Sequence, residues 1–229
     1  MLRVHSFTVS LFALTLLGAP VNPDLLQRLD SAASHFLSMS ATVTYLTHID
    51  VIDENSTETG EVVMKKVAPG EVQGLINFTA PNQRTVTFEK HSVQIYYPKI
   101  KTVQVYDLAE HGEQLDKFLM IGFGTSGSEL AKDYTMTVAG TEPVKGTGGQ
   151  AIHLELIPKS GQAREYVKKL ELWIPEHGDP YPLREKITEP SGNSRTMTYG
   201  GDLKINPPLP PEALKLKLPA GVKTEHPGK

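Results

Sequence analysis

The 229-residue chain has no cysteine. That removes disulfides, thiolate zinc sites, iron–sulfur clusters and cysteine nucleophiles, and leaves a packed core as the source of stability. It also lacks a block of one charge. Its 23 Lys and Arg against 26 Asp and Glu give a net charge of −3, with no electrostatic footprint for nucleic acid or an anionic membrane. After Leu17 no segment is long or apolar enough to span a bilayer, which takes about 20 residues. No internal repeat and no shift of composition marks a second domain.

What is present begins with an export signature. Arg3 and His5 precede an apolar stretch from Phe7 to Leu17, and the small residues Gly18 and Ala19 then meet Pro20. This reads as a cleavable signal peptide over residues 1–19. Leu17-Gly18-Ala19 also resembles the approach to a lipoprotein modification site, but Pro20 holds the acceptor position, and without cysteine a thioether lipid anchor is impossible. Cleavage removes Arg3 and no acid, so −3 becomes −4. The expectation is a soluble, exported, monomeric protein with one domain over 20–222 and a flexible tail over 223–229.

Asn22 is placed to cap a helix, Pro23 suits its first position and Asp24 its positive end. Apolar residues then recur at Leu25, Leu29, Ala32, Ala33, Phe36 and Leu37, predicting an amphipathic helix over about 23–38. From Ala41 the period changes to two. Strands are expected near 41–51, 62–67, 72–78, 84–89, 92–97, 102–106, 134–138, 151–157, 167–174, 183–188, 195–199 and 214–218, with a polar turn over Asp53 to Gly60. Such spacing predicts a meandering antiparallel sheet. Residues 107–133 interrupt it with a helical stripe at Leu108, Leu115, Phe118 and Leu119, a glycine-rich break, and a short helix over Ser128 to Asp133.

The fold class is therefore mainly β (α+β): one curved antiparallel sheet of about eleven strands, with an N-terminal helix and the insertion at 107–133 available to cover its apolar face. Strands of ~20 Å spaced ~4.8 Å apart give that face an area on the order of 1000 Å². A four-turn helix covers ~250 Å². The recognisable helices thus cover roughly half, and the remainder is either filled by large side chains or left as an apolar hollow.

Several motifs do not carry chemistry. Gly122-Phe-Gly124-Thr-Ser-Gly127 spells G-x-G-x-x-G, but it follows a helical stripe and no βαβ unit surrounds it, so it reads as a hinge between lid helices. His153 and Glu155 share a strand face without a third ligand nearby in sequence, and read as solvent-facing. Ser126 lacks the glycine that a nucleophile elbow requires. Asn55 and Asn77 lie in glycosylation sequons. Trp173 is out of phase with Leu170, Leu172 and Ile174, which places it on the outer face or at an edge. Pro207 to Pro211 marks a stiff connector. No nucleophile, base or metal set assembles, so neither enzyme nor cofactor is expected.

The signal and first helix, then Tyr96-Tyr97-Pro98 before Val103-Gln104-Val105-Tyr106-Asp107-Leu108, Leu119-Met-Ile-Gly-Phe-Gly124, Tyr134 opening a strand, Leu156-Ile157-Pro158-Lys159, Leu172-Trp173-Ile174 and Leu218-Pro219-Ala220-Gly221-Val222 run in order through nearly the whole chain. Together they resemble the LolA-type outer-membrane lipoprotein carriers and lipoprotein-sorting proteins. The resemblance implies an open, strongly curved antiparallel β half-barrel with short lid helices over its concave apolar face, and a periplasmic chaperone that takes lipoprotein acyl chains from an inner-membrane ABC exporter to an outer-membrane acceptor. The alternative on the same scaffold is an envelope module that senses lipid or lipoprotein without transport.

For the carrier, the inward residues of the apolar cavity are expected to be Val72, Ile76, Phe78, Val86, Phe88, Val93, Ile95, Tyr97, Met136, Leu154 and Leu156, with Leu115, Phe118, Leu119 and Phe123 on the lid. The family's arginine–proline latch has no direct counterpart. The comparable stretch is Met64-Lys65-Lys66-Val67-Ala68-Pro69, where Lys66 is the candidate latch but lacks the guanidinium fork.

Overall fold

A computed structural model describes residues 19–89, 92–108, 120–145 and 149–227. In chain order, β1 (Ala19–Pro20) leads into α1 (Pro23–His35), followed by β2 (Ser38–Ile49), β3 (Glu54–Ala68), β4 (Glu71–Ala80), β5 (Arg84–Glu89), β6 (Ser92–Tyr97) and β7 (Thr102–Asp107). Then come α2 (Gly127–Asp133), β8 (Tyr134–Pro143), β9 (Gln150–Pro158), α3 (Gly161–Arg164), β10 (Lys169–Pro175), β11 (Arg184–Thr188), β12 (Ser194–Tyr199), β13 (Lys204–Ile205) and β14 (Lys223–Glu225).

These strands form one sheet in the order β1-β8-β9-β10-β11-β12-β2-β3-β4-β5-β6-β7-β14, with β13 also on β2. Two antiparallel meanders, β2–β7 and β8–β12, are joined where β12 pairs with β2 (Met197 opposite Tyr45). The path runs from β1 to β14 without closing, as expected for an open half-barrel.

The first helix starts as its sequence dictates, with the Asn22 side chain accepting from the Asp24 amide at 2.9 Å. It ends three residues earlier than expected, because Phe36 turns to extended backbone. Asn206, from beyond β13, holds that junction. Its Oδ1 accepts from the amides of Leu37 (2.8 Å) and Ser38 (3.1 Å), and its Nδ2 donates to the His35 carbonyl at 2.8 Å. A clamp about 170 residues away cannot be read from helix periodicity.

The expected polar turn over Asp53 to Gly60 is corrected. The chain reverses in one 3₁₀ turn at Asp50–Ile52, with Asp53 in the left-handed region at φ 48°, and Glu54 to Gly60 is already strand. Asn55-Ser-Thr-Glu-Thr looks like loop by polarity, yet it pairs in register with the second half of β2, from Ile49↔Glu54 to Thr44↔Thr59. Backbone pairing to a neighbour outweighs the lack of an apolar face.

Two C-terminal expectations also change. Residues 214–218 form no strand. Leu214 is buried, and together with Leu216 it lines a groove over Gln73, Thr87 and Gln94 on the convex face. In the expected tail, Lys223–Glu225 forms β14, parallel to β7 with Lys223 opposite Thr102.

Candidate functional site: the concave face

Alternation along each strand sends one set of side chains to the concave face, where two apolar clusters form. Leu25, Leu29 and Leu130 of the helices, with Ile121, cover Leu154, Leu156, Leu170, Leu172 and Ile174 of β9 and β10. Phe36, Met120, Phe123, Tyr181 and Tyr199 cover Met39, Ala41, Val43, Val62, Met64, Val72 and Phe88. Phe123 is the keystone of the second cluster: its ring lies 5.7 Å from Phe36, 5.9 Å from Tyr181 (stacked) and 5.2 Å from Tyr199 (edge-on).

The glycine-rich run 122–127 acts here as a turn. Gly122 adopts φ +81°, and a Cβ on Gly127 would meet the Leu26 carbonyl oxygen at 2.7 Å, so glycine lets α2 cross closely over α1. The crossing is pinned by Asp30, whose carboxylate accepts from the Ser128 amide and hydroxyl, each at 2.8 Å. A capping box starts α2: the Ser126 hydroxyl accepts from the Glu129 amide (3.1 Å), and Glu129 accepts from the Ser126 amide (2.9 Å). The Ser126 backbone and side-chain hydrogen bonds, with a smaller contribution from the Lys66 charge, hold the Glu129 carboxyl below its ordinary pKa.

The residues expected to line the cavity divide in two. Val72, Phe78, Phe88, Leu154 and Leu156 are buried, the last two with no exposed surface. Ile76, Val86, Val93, Ile95, Tyr97 and Met136 are half-buried. Of these, Val86 and Ile95 face each other across β5 and β6, as do Val86 and Ile76 across β4 and β5, so β4–β6 carry a continuous apolar stripe. Tyr106 extends it onto β7, opposite Val93. Leu115, Phe118 and Leu119 lie outside the described residues. Phe123 is buried. Lys66 is half-buried on the concave face, opposite Val72, and its amide donates to the Leu37 carbonyl at 2.9 Å.

The concave face also holds polar residues that sequence reasoning did not single out. Arg84 lies 4.0 Å over the Phe78 ring and makes a two-pronged ion pair with Glu58, with Nη2 2.7 Å from Oε2. Tyr45 packs on Phe78 at 5.7 Å between ring centres, and burial raises its hydroxyl pKa. Deeper in, Glu185 stands in register between Leu172 and Met197. Burial pushes its carboxyl pKa up to about 8, against a smaller lowering by the neighbouring Tyr199 hydroxyl. The only hint in the sequence is that Glu185 shares its phase with Ile187, since Arg184 and Lys186 make the strand look solvated.

The convex face carries a separate constellation. His153, Glu155 and Glu171 bring ligand-type atoms within 4.8 Å of one another, the third acid arriving from the adjacent strand by register. This corrects the reading of a pair without a third group: Glu171 is buried, and His153 Nε2 lies 3.1 Å from its Oε1. The Lys169 ammonium occupies the centre, 2.6 Å from Glu155 and 3.2 Å from Glu171, and Lys186 adds a second positive charge at 3.7 Å, so the cluster is a neutralised ion network. Trp173 lies on this outer face as its phase predicts. It is nonetheless buried, stacked on His153 at 4.3 Å and covered by Val144 of the β8–β9 hairpin. Two solvent-open grooves, of about 390 and 260 Å³, lie on the convex face as well; the larger is lined by Thr42, Thr44, Thr59, Thr198 and Lys145.

The architecture defines the class: an open antiparallel half-barrel with helices on its concave face. An uncharacterized conserved protein from Thermus thermophilus is similar at TM-score 0.51 and 15% identity, over 89% of this chain and 97% of its own. MucB is similar at TM-score 0.50 and 18% identity over 85% of this chain, which spans only 62% of MucB's length. A LolA superfamily protein from Nitrosomonas europaea aligns over 87% of this chain and 98% of its own, with 13% identity and a TM-score of 0.40. At these identities the likeness is one of fold. No protein-family model matches the chain, and no curated protein matches it in sequence.

Proposed function

We propose that the protein is a periplasmic carrier that binds the acyl chains of lipoproteins on the half-buried part of its concave face and passes them toward the outer membrane. The observation that carries this reading is the half-buried stripe of Ile76, Val86, Val93, Ile95, Tyr97 and Tyr106. Apolar side chains on the inner face of a curved sheet are partly wet there while their neighbours under the helices are dry. A fatty chain laid along the stripe gains roughly 0.8 kcal/mol per methylene removed from water, the same driving force that holds it in a bilayer, so exchange is reversible. The resemblance noted above supports an inner-membrane ABC exporter as donor and an outer-membrane lipoprotein acceptor as recipient, with the signal peptide removed on export. Among the described residues no helix is long and apolar enough to cross a membrane.

Native mass spectrometry of protein purified from membranes tests the reading. Co-purified acylated peptide supports it, whereas substrate turnover points to an enzyme. The second reading, an envelope module that senses lipid or lipoprotein without moving it, draws on the filled region under α1, which leaves a guest only part of the face. Transfer of a labelled lipopeptide from this protein to acceptor vesicles separates the two: a carrier releases its guest, a sensor retains it.

A further inference from the structure

One acid is out of place in the apolar interior. Glu185 Oε1 is buried and has no hydrogen-bond partner. The turn after the lid segment lies directly over it: a Cβ on Gly122 would come within 3.0 Å of Oε1 and 2.6 Å of Pro182 Cγ. A buried polar atom without a partner costs free energy, and such atoms are rare in folded proteins unless a water, ion or ligand completes them. Resting on the acyl-binding reading above, we propose that Glu185, set against the Tyr199 hydroxyl, is the polar subsite of the concave face and hydrogen-bonds the carbonyl oxygen of an acyl ester or amide.

The neighbours fit such a guest. Glu185 is next to Met197, Met197 is opposite Tyr45, and the Tyr45 ring rests on Phe78. The path therefore runs from the acid across β12, β2 and β3 to the wet apolar stripe that begins on β4. Four strand intervals make it about 19 Å long, the reach of a long fatty chain. The Glu185 residue as a whole is half-buried, while its Oε1 is buried.

Burial keeps the carboxyl protonated at neutral pH, so it offers an O–H to a carbonyl. The subsite thus selects esters and amides over ethers, which present a weaker acceptor, and over ionised free fatty acids, whose charge would be buried unpaired.

The test compares monopalmitoylglycerol with 1-O-hexadecylglycerol, which differ in the carbonyl, by competition for the wild-type protein, and follows the infrared stretch of a ¹³C-labelled ester carbonyl on binding. The expected result is about tenfold tighter binding of the ester, equivalent to one buried hydrogen bond, with the carbonyl stretch shifted to lower frequency. Glu185→Leu should abolish both the preference and the shift, so that ester and ether bind alike, and Glu185→Gln, which keeps a donor, should retain both. Equal binding of ester and ether by wild type, with an unshifted carbonyl, means that water alone completes Glu185 and overturns the subsite but not the carrier. Failure of both probes to bind overturns the acyl-binding reading and the subsite with it. The wild-type comparison decides even if Glu185→Leu does not fold.

Discussion

The concave face has a dry part and a wet part, built from the same alternating strands. Under α1 and α2, Leu154, Leu156, Leu172 and Ile174 have no exposed surface, whereas Ile76, Val86 and Ile95 a few strands away are half-buried. Both parts are apolar; among the described residues, what differs is whether a helix crosses above. On the carrier reading proposed above, stability and binding are therefore separated in space: the buried side chains hold the sheet in shape, and the half-buried ones receive the guest.

The sharpest way to break that division is to truncate one residue on each side. Leu154→Ala, in the dry part, should cost about 2–5 kcal/mol in denaturant-induced unfolding, from lost transfer energy plus the cavity left behind. Ile95→Ala should cost clearly less, because its site is already partly hydrated. Equal losses would mean that the stripe is ordinary core.

Glu185 sets the next largest effect. Its pKa rises from an ordinary 4.5 to about 8, so between those values the folded state holds more protons than the unfolded one. Stability is then greatest below about pH 4.5 and is lost progressively as pH rises to about 8, by a few kcal/mol. Tyr199 is the titratable partner facing it among the described residues, and its own pKa lies well above this window. Thermal melts across pH should show the decline in the wild type and its absence in Glu185→Gln.

On the wet side, replacing Val86 and Ile95 together with Asn should weaken binding of an acyl probe about tenfold or more, while stability changes by only about 1 kcal/mol. A proportional loss of both would erase the distinction. The lid helix offers a finer adjustment. Ser126→Ala removes the cap of α2 and should cost about 1 kcal/mol in the melt. Lys66→Gln, which removes a charge acting on Glu129, should shift stability by only a few tenths of a kcal/mol, and less in high salt.

How much of this is legible in the sequence varies by element. The period-2 run through β4, β5 and β6 and the Asn22-Pro23-Asp24 start of α1 are local signals, and both appear where the sequence places them. The polar half of the β2–β3 hairpin and the strand β14 escape such a reading, because their order comes from a neighbour's backbone and leaves no apolar trace in their own residues. The third acid beside His153 could not be found from sequence, since Glu171 reaches it only through the register of β9 with β10.

By itself, then, the sequence determined the cysteine-free, strand-dominated, curved sheet and the side of each strand that is apolar, because alternation and helix caps are properties of a few adjacent residues. Tertiary structure alone decided which portion of that apolar face is sealed and which stays wet, and it turned Glu185 toward the interior. Coverage depends on where distant segments cross the sheet, and a carboxyl's surroundings depend on strands paired across it, neither of which is encoded in neighbouring residues.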